Sequence, residues 1–132
     1  MKKMIIVAVL LVAVFFVALN SSMLAEQAEK WVQDNPKDPN APTVLYDAAR
    51  WCDILGDNQK AIAVYMDVYK QYPEQGELCA GALYHCADIQ ASTTSAPKLA
   101  NDYLQIIFTQ YPTIEDWNKK AKELSDEVNH GV

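Results

Sequence analysis

Histidine, glycine and basic side chains are scarce in this chain, and each shortage removes a class of function. Its two histidines, His85 and His130, lie far apart in the 132 residues, so no local histidine-rich metal motif can form. Four glycines, scattered singly, provide neither a glycine-rich phosphate loop nor a nucleophile elbow. Three cysteines, Cys52, Cys79 and Cys86, follow neither the C-x-x-C nor the C-x-x-C-H spacing of metal and haem sites. Basic residues number 11 against 17 acidic ones; with Lys2 and Lys3 set aside, nine remain and the rest of the chain carries a net charge of −8. That balance argues against nucleic acid and anionic lipid surfaces as partners.

The same shortages bear on catalysis. The carboxylates are spread along helix surfaces and read as a solvated coat rather than as acid–base pairs. His85 precedes Cys86, but adjacent residues do not share a helix face, and a thiol–imidazole pair also needs a third, orienting group. The expectation is a chain that is not an enzyme, with no cofactor, no metal and no small-molecule substrate.

One apolar run is present. After Met1-Lys2-Lys3 come sixteen residues, Met4 to Leu19, with no charged or hydrogen-bonding side chain, followed by Asn20-Ser21-Ser22. Signal-peptide apolar regions run about 7 to 15 residues and spanning helices about 17 to 25, so the run falls between the two. Cleavage before the soluble part is poorly served, because Met23 stands two residues upstream of the one suitable alanine, Ala25. Extended to Ala25 the segment is 22 residues, about 33 Å of helix, enough for a bilayer core of roughly 30 Å. Residues 1–24 are therefore expected to form a signal-anchor or transmembrane helix, and residues 25–132 one α-helical domain. The two leading lysines favour a single-pass orientation with that domain outside the cytoplasm; secretion after cleavage is the alternative. No cysteine suited to lipid attachment follows the run.

Helical periodicity fills the remainder. Pro36 stops a first helix that has no breaker between Met4 and Gln33. Val44, Leu45, Ala48, Ala49, Trp51, Cys52 and Leu55 then recur at helical spacing up to Gly56, and Asp57 is placed to cap a third helix that ends at Pro73. Leu78 to Ile89 and Leu99 to Phe108 give two more. Thr113-Ile-Glu-Asp116 resembles a capping box opening a final helix, with Trp117, Ala121, Leu124 and Val128 on one stripe of an otherwise charged surface. No segment is a candidate strand, so the fold class is all-α. Cys79 and Cys86, seven apart, share a helix face and Cys52 falls on an apolar stripe; small buried side chains are favoured over a bridge from Cys52 to Cys79 or Cys86.

The chain also copies itself. A shift of 39 lays "KAIAVYMDVYKQYP" (60–73) on "LANDYLQIIFTQYP" (99–112), pairing Ala61 with Ala100, Tyr65 with Leu104, and Gln71-Tyr72-Pro73 with Gln110-Tyr111-Pro112. A fainter copy, "AEQAEKWVQDNP" (25–36), precedes them.

Leu45, Ala48, Ala49, Cys52, Gly56-Asp57, Ala61-Ile62, Tyr65 and Pro73 resemble the tetratricopeptide repeat, most clearly over 42–75. In the second unit, ending at Pro112, "QASTTSAPK" (90–98) replaces the glycine turn and is longer. The proline and tyrosine punctuation further resembles tetratricopeptide proteins of bacterial envelopes, membrane-anchored or periplasmic. The resemblance implies a short solenoid of helical hairpins closed by a C-terminal capping helix, in which Ala49, Gly56, Ala61, Tyr65, Pro73, Ala100, Leu104 and Pro112 serve repeat packing. It also implies a concave groove lined by Thr43, Tyr46, Arg50 and Asp53 in one unit and by Glu77, Ala80, Tyr84 and Ala87 in the next. The lysine–asparagine set with which some relatives clamp a terminal carboxylate is missing. Tyr46, Arg50, Asp53 and Tyr84 are thus the candidate partner-binding residues, suited to an extended peptide or a helix. The functional expectation is a protein–protein interaction scaffold, an accessory subunit of a larger membrane or envelope complex; the alternative is an independent adaptor or co-chaperone that captures client peptides in the groove.

Overall fold

A computed structural model describes residues 1–18, 21–93 and 95–131. Among the described residues there are seven α-helices and no strand: α1 (Lys2–Ala18), α2 (Ser21–Asp34), α3 (Ala41–Ile54), α4 (Asn58–Gln71), α5 (Gly76–Ser92), α6 (Pro97–Gln110) and α7 (Glu115–Asn129). The all-α expectation holds.

No helix among the described residues is long and apolar enough to cross a membrane. The 17 residues of α1 measure about 25 Å, short of a bilayer core of roughly 30 Å. Whether α1 and α2 form the single rod read from the sequence turns on residues 19–20, which lie outside the described ones. From Met4 to Phe16 every side chain of α1 is exposed, and among the described residues α1 packs only against the neighbouring α2.

From α2 onward each helix packs on the next, α3 against α4 and α5 against α6 most extensively. Contacts also skip one element: α3 meets α5, α5 meets α7, and α2 meets α4. So α3, α5 and α7 lie side by side along the stack. Small residues let the helices approach: Ala49, Ala61 and Ala100 are fully buried, as are Tyr65 and Leu104 beside them.

The turns follow local chemistry. Gly56 closes α3 with φ +80, and the Asp57 carboxylate accepts from the Lys60 amide at 3.4 Å to start α4. Pro42 sits in the first turn of α3 and Pro97 in that of α6, where a missing N–H costs nothing. Between α5 and α6 the left-handed position is filled by Ser95 (φ 50) instead of a glycine, while the Ala96 amide donates to the Gln90 carbonyl at 2.8 Å. The capping box read at 113–116 does not form. Ile114 is the N-cap and supplies no side-chain acceptor, because the turn after Pro112 places Thr113 one position too early. Glu115 and Asp116 complement the helix dipole instead, and Asn118 Nδ2 donates to the carbonyls of Tyr111 (2.6 Å) and Ile114 (2.9 Å).

The sequence repeat has a bonded counterpart. Tyr72 Oη donates to the Pro36 carbonyl at 2.9 Å, and Tyr111 Oη donates to the Pro73 carbonyl at 2.8 Å. Each tyrosine is only 8% exposed, so its hydroxyl is satisfied by the backbone just past the preceding helix stop. Each "YP" thereby ties one unit to the unit before it.

Cys52, Cys79 and Cys86 are all buried, and no disulfide links them. The Cys79 thiol donates to the Tyr72 carbonyl at 3.0 Å. Burial raises the Cys79 and Cys86 pKa values, aided by the Asp53 charge at Cys86 and opposed at Cys79 by a hydrogen bond with Tyr111 that outweighs the Glu74 charge but not the burial, so both thiols stay protonated.

Candidate partner-binding face

α3 buries Leu45, Ala48, Ala49 and Cys52 on one side, which turns Tyr46, Arg50 and Asp53 to another. This second stripe faces α5, which contributes Tyr84 and His85; α7 adds Trp117 and Lys120, and Tyr65 rises from α4 beneath.

His85 is the hub. Its ring stacks on Tyr65, with centroids 5.2 Å apart and planes 16° from parallel. It meets Tyr46 at 6.2 Å, Tyr84 at 5.8 Å and Trp117 at 5.7 Å, in tilted or edge-on geometry. Tyr84 meets Trp117 at 5.4 Å, and Tyr46 meets Tyr65 at 5.7 Å edge-on. Spacings of this kind fall in the favourable range for aromatic pairs, each contributing about 0.5–1.5 kcal/mol beyond area burial. Five rings from four helices therefore make one continuous cluster.

Gly81 makes the cluster fit. A Cβ there would stand 2.8 Å from Tyr46 Oη and 2.9 Å from Trp117 Cζ2, so two aromatic side chains from flanking helices converge over a residue with no side chain.

The electrostatics are acidic and partly desolvated. Burial raises the Asp53 pKa, against the lowering effects of a hydrogen bond from Tyr65 Oη (3.4 Å) and of the Arg50 charge. Desolvation, and then the Asp53 charge, pushes the Tyr65 phenol strongly upward. Burial also lowers the His85 pKa, with the Arg50 charge adding to it, so the imidazole is neutral near pH 7. Its Nδ1 lies 4.0 Å from Asp53 Oδ2. With a neutral ring at that separation, the contact is neither an ion pair nor a hydrogen bond. On the outer edge, Lys120 Nζ sits 4.6 Å from the Trp117 ring centroid.

The expected groove residues separate into two groups. Tyr46, Asp53 and Tyr84 converge on His85, while Arg50 is exposed at the rim with Asp47, Trp51 and Ile54. Ala80 and Ala87 do not line a groove: both are fully buried, because α5 is covered by α3, α4, α6 and α7 at once. Thr43 and Glu77 are exposed. Sequence reasoning missed His85, Trp117 and Tyr65 as members of this face. The one available signal was Gly81, a glycine inside a helical stretch with no turn to serve.

No protein-family model, curated protein or solved structure matches the chain. The tetratricopeptide likeness therefore rests on residues of this chain alone.

Proposed function

We propose that this protein is a non-catalytic interaction scaffold, held in a larger membrane-associated complex by α1 and presenting the α3–α5–α7 face to a partner protein. The observation that carries this reading is α1. Its large apolar side chains from Met4 (77% exposed) to Phe16 (73% exposed) are left uncovered by the other described residues. An apolar surface of that extent needs cover from lipid or from other subunits. On this reading, residues 1–24 act as the attachment segment even though α1 alone is short of a bilayer. The two leading lysines favour a helical domain outside the cytoplasm.

Within the domain, α3–α4 and α5–α6 act as two tetratricopeptide-like units and α7 as their cap. The side-by-side order of α3, α5 and α7 and the repeated tyrosine-to-proline bond support this. A stack of two units offers little area as a free-standing receptor, which favours a built-in subunit over an independent adaptor. Gentle solubilisation, sizing and intact-mass measurement of the recovered chain test the proposal. A stoichiometric heavy complex containing the uncleaved chain is expected. A free monomer with substoichiometric clients would favour the adaptor, and a chain shortened at its N-terminus and free of membranes would remove the anchor.

A further inference from the structure

The aromatic cluster is more than packing, because the carboxylate of Asp53 beside its His85 hub is left partly exposed. The Asp53 side chain is 30% exposed and that of His85 25% exposed, and the His85 ring meets the partly exposed rings of Tyr46, Tyr84 and Trp117. Among the described residues, no lysine or arginine nitrogen lies within 4.0 Å of Asp53. Arg50 acts on it by charge alone.

Three kinds of occupant can be compared. An apolar side chain seated over these rings would complete the burial of the Asp53 charge without pairing it, at a cost of several kcal/mol. An acidic one would meet Asp47 and Asp53 around Tyr46, and Asp88, Glu123 and Glu127 around Tyr84, against only Arg50 and Lys120. A cation would be attracted by the ring faces and by the carboxylate together. Lys120 already shows the outer ring accepting an ammonium group at 4.6 Å. The neutral imidazole of His85 adds no opposing charge at neutral pH.

We propose that Tyr46, Tyr84 and Trp117, with the Asp53 carboxylate beside the His85 ring that they surround, form a seat for one basic side chain, arginine above all, carried by a segment of the partner protein. A flat guanidinium suits the site best, since it stacks on aromatic faces and reaches a carboxylate with paired donors. This inference rests on the scaffold reading and narrows it, fixing the chemistry of the residue that enters the face. Lys120 is then an internal competitor, which leaves Trp117 when the partner's cation arrives.

The test uses the full chain in detergent micelles and nuclear magnetic resonance signals of the Trp117 indole and the His85 ring. The probes are short glycine–serine peptides carrying arginine, glutamine or glutamate between two leucines. The arginine peptide is expected to shift both signals and to bind about tenfold more tightly than the glutamine peptide. Asp53→Asn should abolish that preference with the fold intact. Lys120→Gln should strengthen arginine binding by about two- to threefold, a gain that a purely structural role for the ring cluster would not produce. Equal responses to all three peptides, or weaker arginine binding in Lys120→Gln, would overturn the seat. The scaffold reading fails separately: a native partner found on this face through an acidic or uncharged segment removes the cation seat but keeps the scaffold, whereas the absence of any partner on it removes both.

Discussion

Ser95 holds a left-handed backbone angle that a residue with a Cβ adopts only at a cost, whereas Gly56 meets the same demand without one. Ser95→Gly is therefore expected to stabilise the fold and Gly56→Ala to destabilise it, each by about 1 kcal/mol, read as shifts of a urea midpoint. No heavy atom lies within 4 Å of a Cβ built at Gly56, so that effect is purely conformational. Gly81→Ala acts through contact instead. Its methyl would displace Tyr46 and Trp117, costing about 1–3 kcal/mol and moving the Trp117 indole resonance. Acid titration has a definite sign at His85. Its folded pKa is lowered, so the unfolded chain binds the proton more readily, and stability falls as pH drops through about 6.5. Asp53 and Asp67 have raised folded values, so each holds its proton more readily in the fold and returns stability as pH falls further, towards 3.8. Thermal midpoints taken from about pH 8 to 5 should show the first loss, and His85→Phe should remove it while keeping a ring at the hub.

Helices were the most legible level of the sequence. Pro36, Pro73 and Pro112 each fall just past a helix end, and Asp57 caps α4, because these signals are local and depend on backbone chemistry alone. Thr113 misled for the same reason: a capping box is defined by register, and the turn after Pro112 places the N-cap at Ile114 instead. The tyrosines before the prolines could be seen repeating, but not what they bond, since their partners are carbonyls of the preceding unit. Replacing Tyr111 or Tyr72 by phenylalanine should cost about 1 kcal/mol each, measured by urea unfolding, as a part-buried hydrogen bond to the preceding unit is lost. A loss near zero would mean that these bonds do not couple the units.

For the whole molecule, the arrangement of α3, α4, α5 and α7 decides which side chains meet. The tetratricopeptide resemblance implies a groove of eight residues with four partner-binding candidates, and three of those four, Tyr46, Asp53 and Tyr84, converge on His85. His85, Tyr65 and Trp117 could not be read as members, because a ring on an apolar stripe looks the same in sequence whether it faces a core or a binding face. Ala80 and Ala87 were misplaced because the number of helices crowding α5 is a property of the assembled stack. Photo-crosslinking in intact membranes tests the central claim, that the α3–α5–α7 face meets a partner protein, most directly. A benzophenone side chain in place of Tyr84 on that face is expected to give one dominant adduct of defined mass, and the same group at the exposed Ala63 of α4 to give none. Equal labelling from both positions, or no adduct from Tyr84 in a folded chain, would contradict it.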